Sequence, residues 1–132
     1  MSNENQLEDL KKKIYRLHFL LTEKEDANSI QESLKQFQLC LKGAMLELSN
    51  FLFSEHGVSP KDNIEILELS FKYKLFNQNM TGLLKNMIQD FELLEAGKNT
   101  EQVYNKTKEN YAGNLQMIHD MLTRMGQDAE DE

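Results

Sequence analysis

A single cysteine, Cys40, leaves no partner for an internal disulfide. No apolar run approaches the ~20 residues needed to span a bilayer. The opening MSNENQLEDL is polar and acidic, unlike a secretory signal with its basic start and apolar middle. These absences point to a cytoplasmic protein with no membrane segment. Proline occurs once and glycine six times in 132 residues, which leaves room for few turns and favours long helices. Basic blocks are also scarce, with Lys11 to Lys13 the one triplet, and the formal charge is −7. Four of those charges fall in the last five residues, Asp128 to Glu132, so the remainder carries −3. Affinity for a phosphate backbone comes mainly from displaced counterions, so direct nucleic-acid binding is not expected.

What the chain does have is apolar residues in helical register. A hydrophobic share of 39%, with seven Phe and four Tyr, is enough for one core in a chain of single-domain size. From Ser29 to Phe53 the stripe Ile30, Leu34, Phe37, Leu41, Ala44, Leu48 and Phe51 alternates steps of four and three, the signature of an amphipathic helix. Leu39, Cys40, Met45, Leu46 and Leu52 would widen it beyond a two-helix seam, which predicts a central helix with several neighbours. A first helix is predicted over about Gln6 to Glu23 on Leu7, Leu10, Ile14, Leu17 and Leu21, with Ser29 and Glu32 as a capping box for the next. Gly57 should end the central helix, and Ser59-Pro60 should start a third with Ile64, Leu67, Phe71 and Leu75 inward. A fourth follows from Met80 to Ala96 on Leu84, Met87, Ile88, Phe91 and Leu94. The last runs from Thr100 to about Met125, capped by Asn99 and lined by Tyr104, Tyr111, Leu115, Ile118 and Leu122. The prediction is one all-α domain over 1–125, an antiparallel up-and-down bundle of about five helices with a four-helix core, and an acidic disordered tail over 126–132.

Chemistry-bearing motifs are few. Carboxylate-bridged metal bundles need Glu-x-x-His on facing helices, and the nearest spacing, Gln116-x-x-His119, offers an amide instead. His18, His56 and His119 could meet only if three separate segments converged; His56, beside Gly57, suits a helix C-terminus. Neither a metal nor a cofactor is expected. Cys40 reads as a small buried hydrophobe, and Tyr104 and Tyr111, seven apart, as core packing. Most of the seven methionines fall on inward faces as gap-fillers. Phe71-Lys72-Tyr73-Lys74 mixes aromatic and basic residues, a weak sign of base stacking. Gly-rich phosphate loops, G-x-S-x-G and C-x-x-C are all missing.

The order of segments is similar to a known family. Gln36-Phe37-Gln38-Leu39, Ala44-Met45-Leu46-Glu47-Leu48, the turn His56 to Asp62, the helix Ile64 to Phe76 and Leu84 to Asp90 together resemble the HEPN superfamily. Within it they look like the nucleotidyltransferase substrate-binding proteins, a likeness covering about Ser29 to Leu122. The resemblance implies an antiparallel bundle, often a homodimer, working beside a nucleotidyltransferase; other branches are ribonuclease toxins. Those nucleases use an arginine with a polar neighbour and a histidine about five to seven positions on, the histidine moving a proton and the arginine steadying phosphorane-like charge. Here the corresponding positions are Phe91, Glu92 and Ala96. The two arginines present, Arg16 and Arg124, have no histidine at that spacing. The expectation is a non-catalytic bundle that binds a protein partner, a nucleotidyltransferase or another protein. The alternative is an enzyme or a ligand- or nucleotide-binding bundle with a site outside the family positions.

Overall fold

The polar stretch after Leu21 ends at Asp26, whose backbone is extended (φ −112, ψ 173) and whose carboxylate accepts from the Ser29 N–H at 2.8 Å. A side chain that satisfies a free N–H of the first turn lets the helix begin there. Asp26 therefore takes the N-cap role expected of Ser29, and the central helix starts two residues before it. In the computed structural model, which describes the backbone of residues 2–131 and the side chains of residues 7–126, the elements are α1 (Ser2–Leu21), α2 (Ala27–His56), α3 (Asn63–Lys72), α4 (Gln78–Glu95), α5 (Thr100–Lys106) and α6 (Ala112–Asp131). A turn of π-helix, Thr107–Tyr111, joins α5 to α6, so the last two form one rod and the fold is a bundle of five helices. No strand occurs among the described residues.

Local chemistry sets the other boundaries. Gly57 takes the left-handed conformation expected of it (φ 67, ψ 19) and its N–H closes on the Phe53 carbonyl at 2.9 Å. Asp62, rather than Ser59, starts the third helix, accepting from the Glu65 N–H at 2.9 Å, so Pro60 lies in the connecting loop. Asn77 does the same for α4 through the Met80 N–H. Asn99 precedes α5 in a left-handed conformation (φ 58) and makes no side-chain cap bond, unlike the cap expected. The backbone of α6 runs past Met125, where the last helix was expected to end, to Asp131. The acidic tail expected to be disordered over 126–132 lies, from residue 127 on, outside the residues whose side chains are described.

Helix α2 is the centre, touching α1, α3, α4, α5 and α6. Its Phe37, Cys40, Leu41, Ala44 and Leu48 are buried with Leu10, Ile14 and Leu17 of α1, Leu84 and Met87 of α4, and Leu115, Ile118 and Leu122 of α6. Helix α1 runs antiparallel to it: Gln36 donates to the Lys13 carbonyl at 2.9 Å, and a Cβ on Gly43 would meet the Leu10 side chain at 3.2 Å. The α5–α6 rod runs parallel to α2, with Tyr111 stacked on Phe37 and Leu122 sharing a cavity with Glu47 and Phe51. In an up-and-down four-helix core, helices two apart run the same way.

Two expectations about faces are corrected. Leu39 and Leu46 do not widen the buried stripe; they are 48% and 55% exposed. At about 100° per residue they lie across the helix from Leu41 and Leu48, on a side that stays exposed. In α3 the buried residues are Ile66, Leu67 and Ser70, whereas Ile64 and Phe71, expected inward, are 60% and 52% exposed. That helix has apolar residues on every side, so periodicity alone left its phase open.

Candidate functional site

The positions singled out by family resemblance lie at the C-terminal end of α4. Phe91 is half-buried against the edge of the core, and the Lys42 ammonium stands 5.6 Å from its ring centroid, a cation–π arrangement. Glu92 is exposed. Ala96, also exposed, closes the helix by donating its N–H to the Glu92 carbonyl at 3.1 Å. The arginines are elsewhere: Arg16 lies 5.5 Å over the Phe19 ring on α1, and Arg124 is exposed on α6. An apolar ring, a solvated carboxylate and a methyl group offer neither an imidazole to move a proton nor a guanidinium to hold phosphoryl charge.

One residue earlier, Asp90 organises a polar cluster. It is only 6% exposed, and its Oδ2 accepts from the Tyr111 hydroxyl at 2.5 Å and from Lys106 Nζ at 3.2 Å. The π turn places Tyr111 there. Its Ala112 N–H reaches back five residues to the Thr107 carbonyl, and the Thr107 hydroxyl donates to the Val103 carbonyl at 2.7 Å. Such a turn holds one extra residue and displaces the side chains within it from ordinary helical positions. The Tyr111 ring stacks on Phe37, centroids 5.4 Å apart and planes 16° from parallel. Burial first, and then the bond to Asp90, push the Tyr111 phenol above its ordinary value, so it stays a neutral donor. Lys106 is half-exposed, and screening leaves that ion pair little energy of its own. Tyr104 and Tyr111 are both core residues, at 3% exposure, as their spacing predicts. The hydroxyl's partner was missed, although Asp90 sits three residues after Met87 on an otherwise apolar face.

A second buried carboxyl lies on α2. Glu47, 6% exposed, faces α1 and lines a cavity of about 40 Å³ with Leu7, Asn50, Phe51, Leu122 and Gly126. Burial raises its pKa to about 7 against the pull of Lys13, with Asp9 adding to the rise. Its place between Ala44 and Phe51 on the central stripe was the overlooked sign. Cys40 is buried as expected and its thiol is pushed up to about 12, chiefly by burial, which keeps it protonated and unreactive.

The three histidines serve separate ends. His119 is buried, with Nε2 3.1 Å from the Leu7 carbonyl oxygen and Nδ1 3.2 Å from Asp120 Oδ1, and so ties α6 to α1. His56 occupies the last turn of α2 and stacks on Tyr73 with centroids 4.0 Å apart. His18 is exposed in the last turn of α1. Among the described residues no three His, Cys, Asp or Glu side chains are grouped to hold a metal ion, and no helix is long and apolar enough to cross a membrane.

No family model matches the sequence, and no curated protein matches it. Solved structures do share the fold. A protein of Thermus thermophilus superposes with a TM-score of 0.77 at 15% identity, covering 86% of this chain and 98% of its own. A mutant MntA-HpeT toxin-antitoxin gives 0.79 at 12% identity, covering 92% and 97%. A toxin-antitoxin with AMP-PNP gives 0.74 at 15%, covering 92% and 95%. The all-α bundle is therefore one found in toxin-antitoxin chains over nearly their whole length. At these identities the likeness speaks to the fold alone.

Proposed function

We propose that this chain is a non-catalytic HEPN-like bundle that works by binding a protein partner, with a nucleotidyltransferase as the partner class. The observation that carries the reading is the chemistry at the end of α4, where Phe91 and Ala96 stand at the positions that the resemblance gives to arginine and histidine, with Glu92 as the polar neighbour. The adjacent Asp90 is already engaged by Tyr111 and Lys106. A bundle of this fold stripped of a reactive pair retains its surface as the means of action. Two of the structures that share the fold are toxin-antitoxins, which supports partnership over solitary action. A homodimer is the further expectation from the family resemblance.

The reading is tested by co-purifying the tagged chain with the product of the adjacent gene and by incubating it with RNA. A stable complex and intact RNA are expected. Cleavage of RNA that disappears in a Phe91 or Glu92 variant would overturn the non-catalytic assignment, and a monomer that captures nothing in repeated attempts would overturn the partnership. Light scattering decides the dimer, whose mass should be twice 15.4 kDa.

A second reading has its own observation. A cavity of about 520 Å³ at the α3–α4 turn is lined by Phe71, Lys72, Lys74, Phe76, Asn77 and Gln78, and Lys74 there has a left-handed backbone (φ 62). The volume suits a small ligand, and an aromatic ring beside two ammonium groups suits a nucleotide. A rise of several degrees in melting temperature with mononucleotides would favour it.

A further inference from the structure

Helix α2 touches every other helix of the bundle, yet the side it leaves open carries apolar residues where polar ones are usual. Leu39, Leu46 and Phe53, seven residues apart, are 48%, 55% and 63% exposed. Residues at that spacing stay on one side of a helix, drifting by only about 20° per seven. Ile64, at the start of α3, is 60% exposed. Between the two elements lies a cavity of about 270 Å³ whose walls include Met45, Leu46, Pro60 and Ile66, wide enough to take an apolar side chain. An aligned row of exposed apolar residues is the form of surface that receives an amphipathic helix.

The charges around this row indicate what the occupant carries. Lys35 and Lys42 flank Leu39 and border a further depression of about 290 Å³, and Lys61 lines the α2–α3 cavity. On the other side Lys13 reaches over from α1, its Nζ 3.9 Å from where a Cβ on Gly43 would lie. The acids nearby are Glu32, one turn before Lys35, Asp62, whose carboxylate is engaged in capping α3, and, on the Lys13 side, Asp9 and the buried Glu47. The basic edge proper is therefore the Lys35, Lys42 and Lys61 side. The whole chain is at −7, so this is a basic rim on an acidic protein. A second copy meeting the face about a two-fold axis would bring the same patch to itself, setting lysines toward lysines. Phe91, with Lys42 over its ring, continues the surface from the vacated family positions.

We propose that the outward face of α2, together with the start of α3, docks an amphipathic helix of a partner protein that presents apolar residues between rows of carboxylates. The proposal rests on the partner-binding reading above and adds where the partner sits and what it carries. Leu46 is the anchor contact at the centre of the face, and Lys35, Lys42 and Lys61 set the charge preference and the speed of association.

Fluorescence anisotropy with a labelled helical peptide of about 18 residues, five turns, tests it. The probe carries leucines at i, i+3, i+4 and i+7 between glutamates, and the control carries lysines in place of the glutamates. The glutamate peptide should bind, lose roughly tenfold or more in affinity with Leu46→Asp and with the Lys35→Glu/Lys42→Glu pair, and weaken as salt is raised. The lysine peptide should not bind. Circular dichroism melting of both variants should match the parent, since the altered side chains are exposed.

Equal binding of both peptides, binding by neither, or indifference to Leu46→Asp would overturn the proposal. So would a dimer of this chain that Leu46→Asp converts to monomer, because a second copy then covers the face. The two readings fail separately. A partner still captured by the Leu46→Asp variant keeps the partnership and removes this face, whereas a selective glutamate-peptide response without any nucleotidyltransferase keeps the face and removes that partner class.

Discussion

Asp90 and Tyr111 show how much a single polar contact can matter inside an apolar bundle. A buried carboxylate is costly unless its oxygens find donors, and Tyr111 supplies the buried one. Tyr111→Phe keeps the ring on Phe37 while leaving Asp90 with only the half-exposed Lys106. It should cost about 1–3 kcal/mol in urea denaturation, and an unchanged midpoint would show that water replaces the hydroxyl at no loss. Glu47 makes a different statement about pH. Its folded pKa is about 7 against an ordinary 4.5, so the folded chain holds a proton that the unfolded chain has released. Stability from this group is full below about 4.5 and falls as pH rises through about 7. Glu47→Gln should remove that fall, worth on the order of 1–2 kcal/mol between pH 5 and pH 8. Parallel pH profiles for variant and parent would assign the slope to other groups. Neither carboxyl was legible as a special residue in the sequence. Each sits at a stripe position where the pattern suggests an apolar side chain, but its partners come from helices distant in the chain, and periodicity carries no information about them.

Among the elements, the long helices were readable because many apolar positions vote on one phase. Their ends were less so, since several polar residues compete for each cap. Asp26 prevailed over Ser29 and Asp62 over Ser59, in each case because the residue adopts extended backbone with its carboxylate on the N–H three residues along. Asp62→Ala removes that acceptor and should lower stability by about 1 kcal/mol. The loss should be smaller in Asp62→Asn, which keeps an oxygen at the same place, and equal losses would mean that the charge near the helix start dominates. Helix α3 was misphased because it has only ten residues, of which Ile64, Ile66, Leu67, Leu69 and Phe71 are apolar. The orientation is set by what α2 and α4 leave open. At the end of α4 Phe91 is half-buried and Glu92 and Ala96 are exposed, and the Asp90 cluster beside them was not readable because Lys106 and Tyr111 come from another part of the chain.

For the molecule as a whole, the central role of α2 makes its inward face the most sensitive surface. Leu41 is 2% exposed, and Leu41→Asp would leave an unpaired charge in the core. That exceeds the ~5–15 kcal/mol reserve of a typical domain or comes close to it. The variant should lose its cooperative thermal transition by circular dichroism, while Gln38→Ala, on the flank of the same helix, should melt like the parent. An unchanged Leu41→Asp melt would mean that the buried face has been misassigned. The open back of α2 had no counterpart in the sequence expectation, because Leu39 and Leu46 count as hydrophobic wherever they point. Hydrophobicity alone does not separate a residue meant for the interior from one held out for a visitor.

The turn at Thr107–Tyr111 has a genetic corollary. Because it holds one residue more than an ordinary helical turn, losing a single codon there would restore regular winding with the downstream phase kept, whereas gaining one would swing everything downstream by about 100°. Leu115, Ile118 and Leu122 would then rotate off their neighbours, and His119 would lose its reach to the Leu7 carbonyl. In-frame insertions should be purged from this short window far more strictly than from the connector at residues 22–26, and more strictly than the loss of one residue, which makes it the part of the gene where length, more than spelling, is under selection.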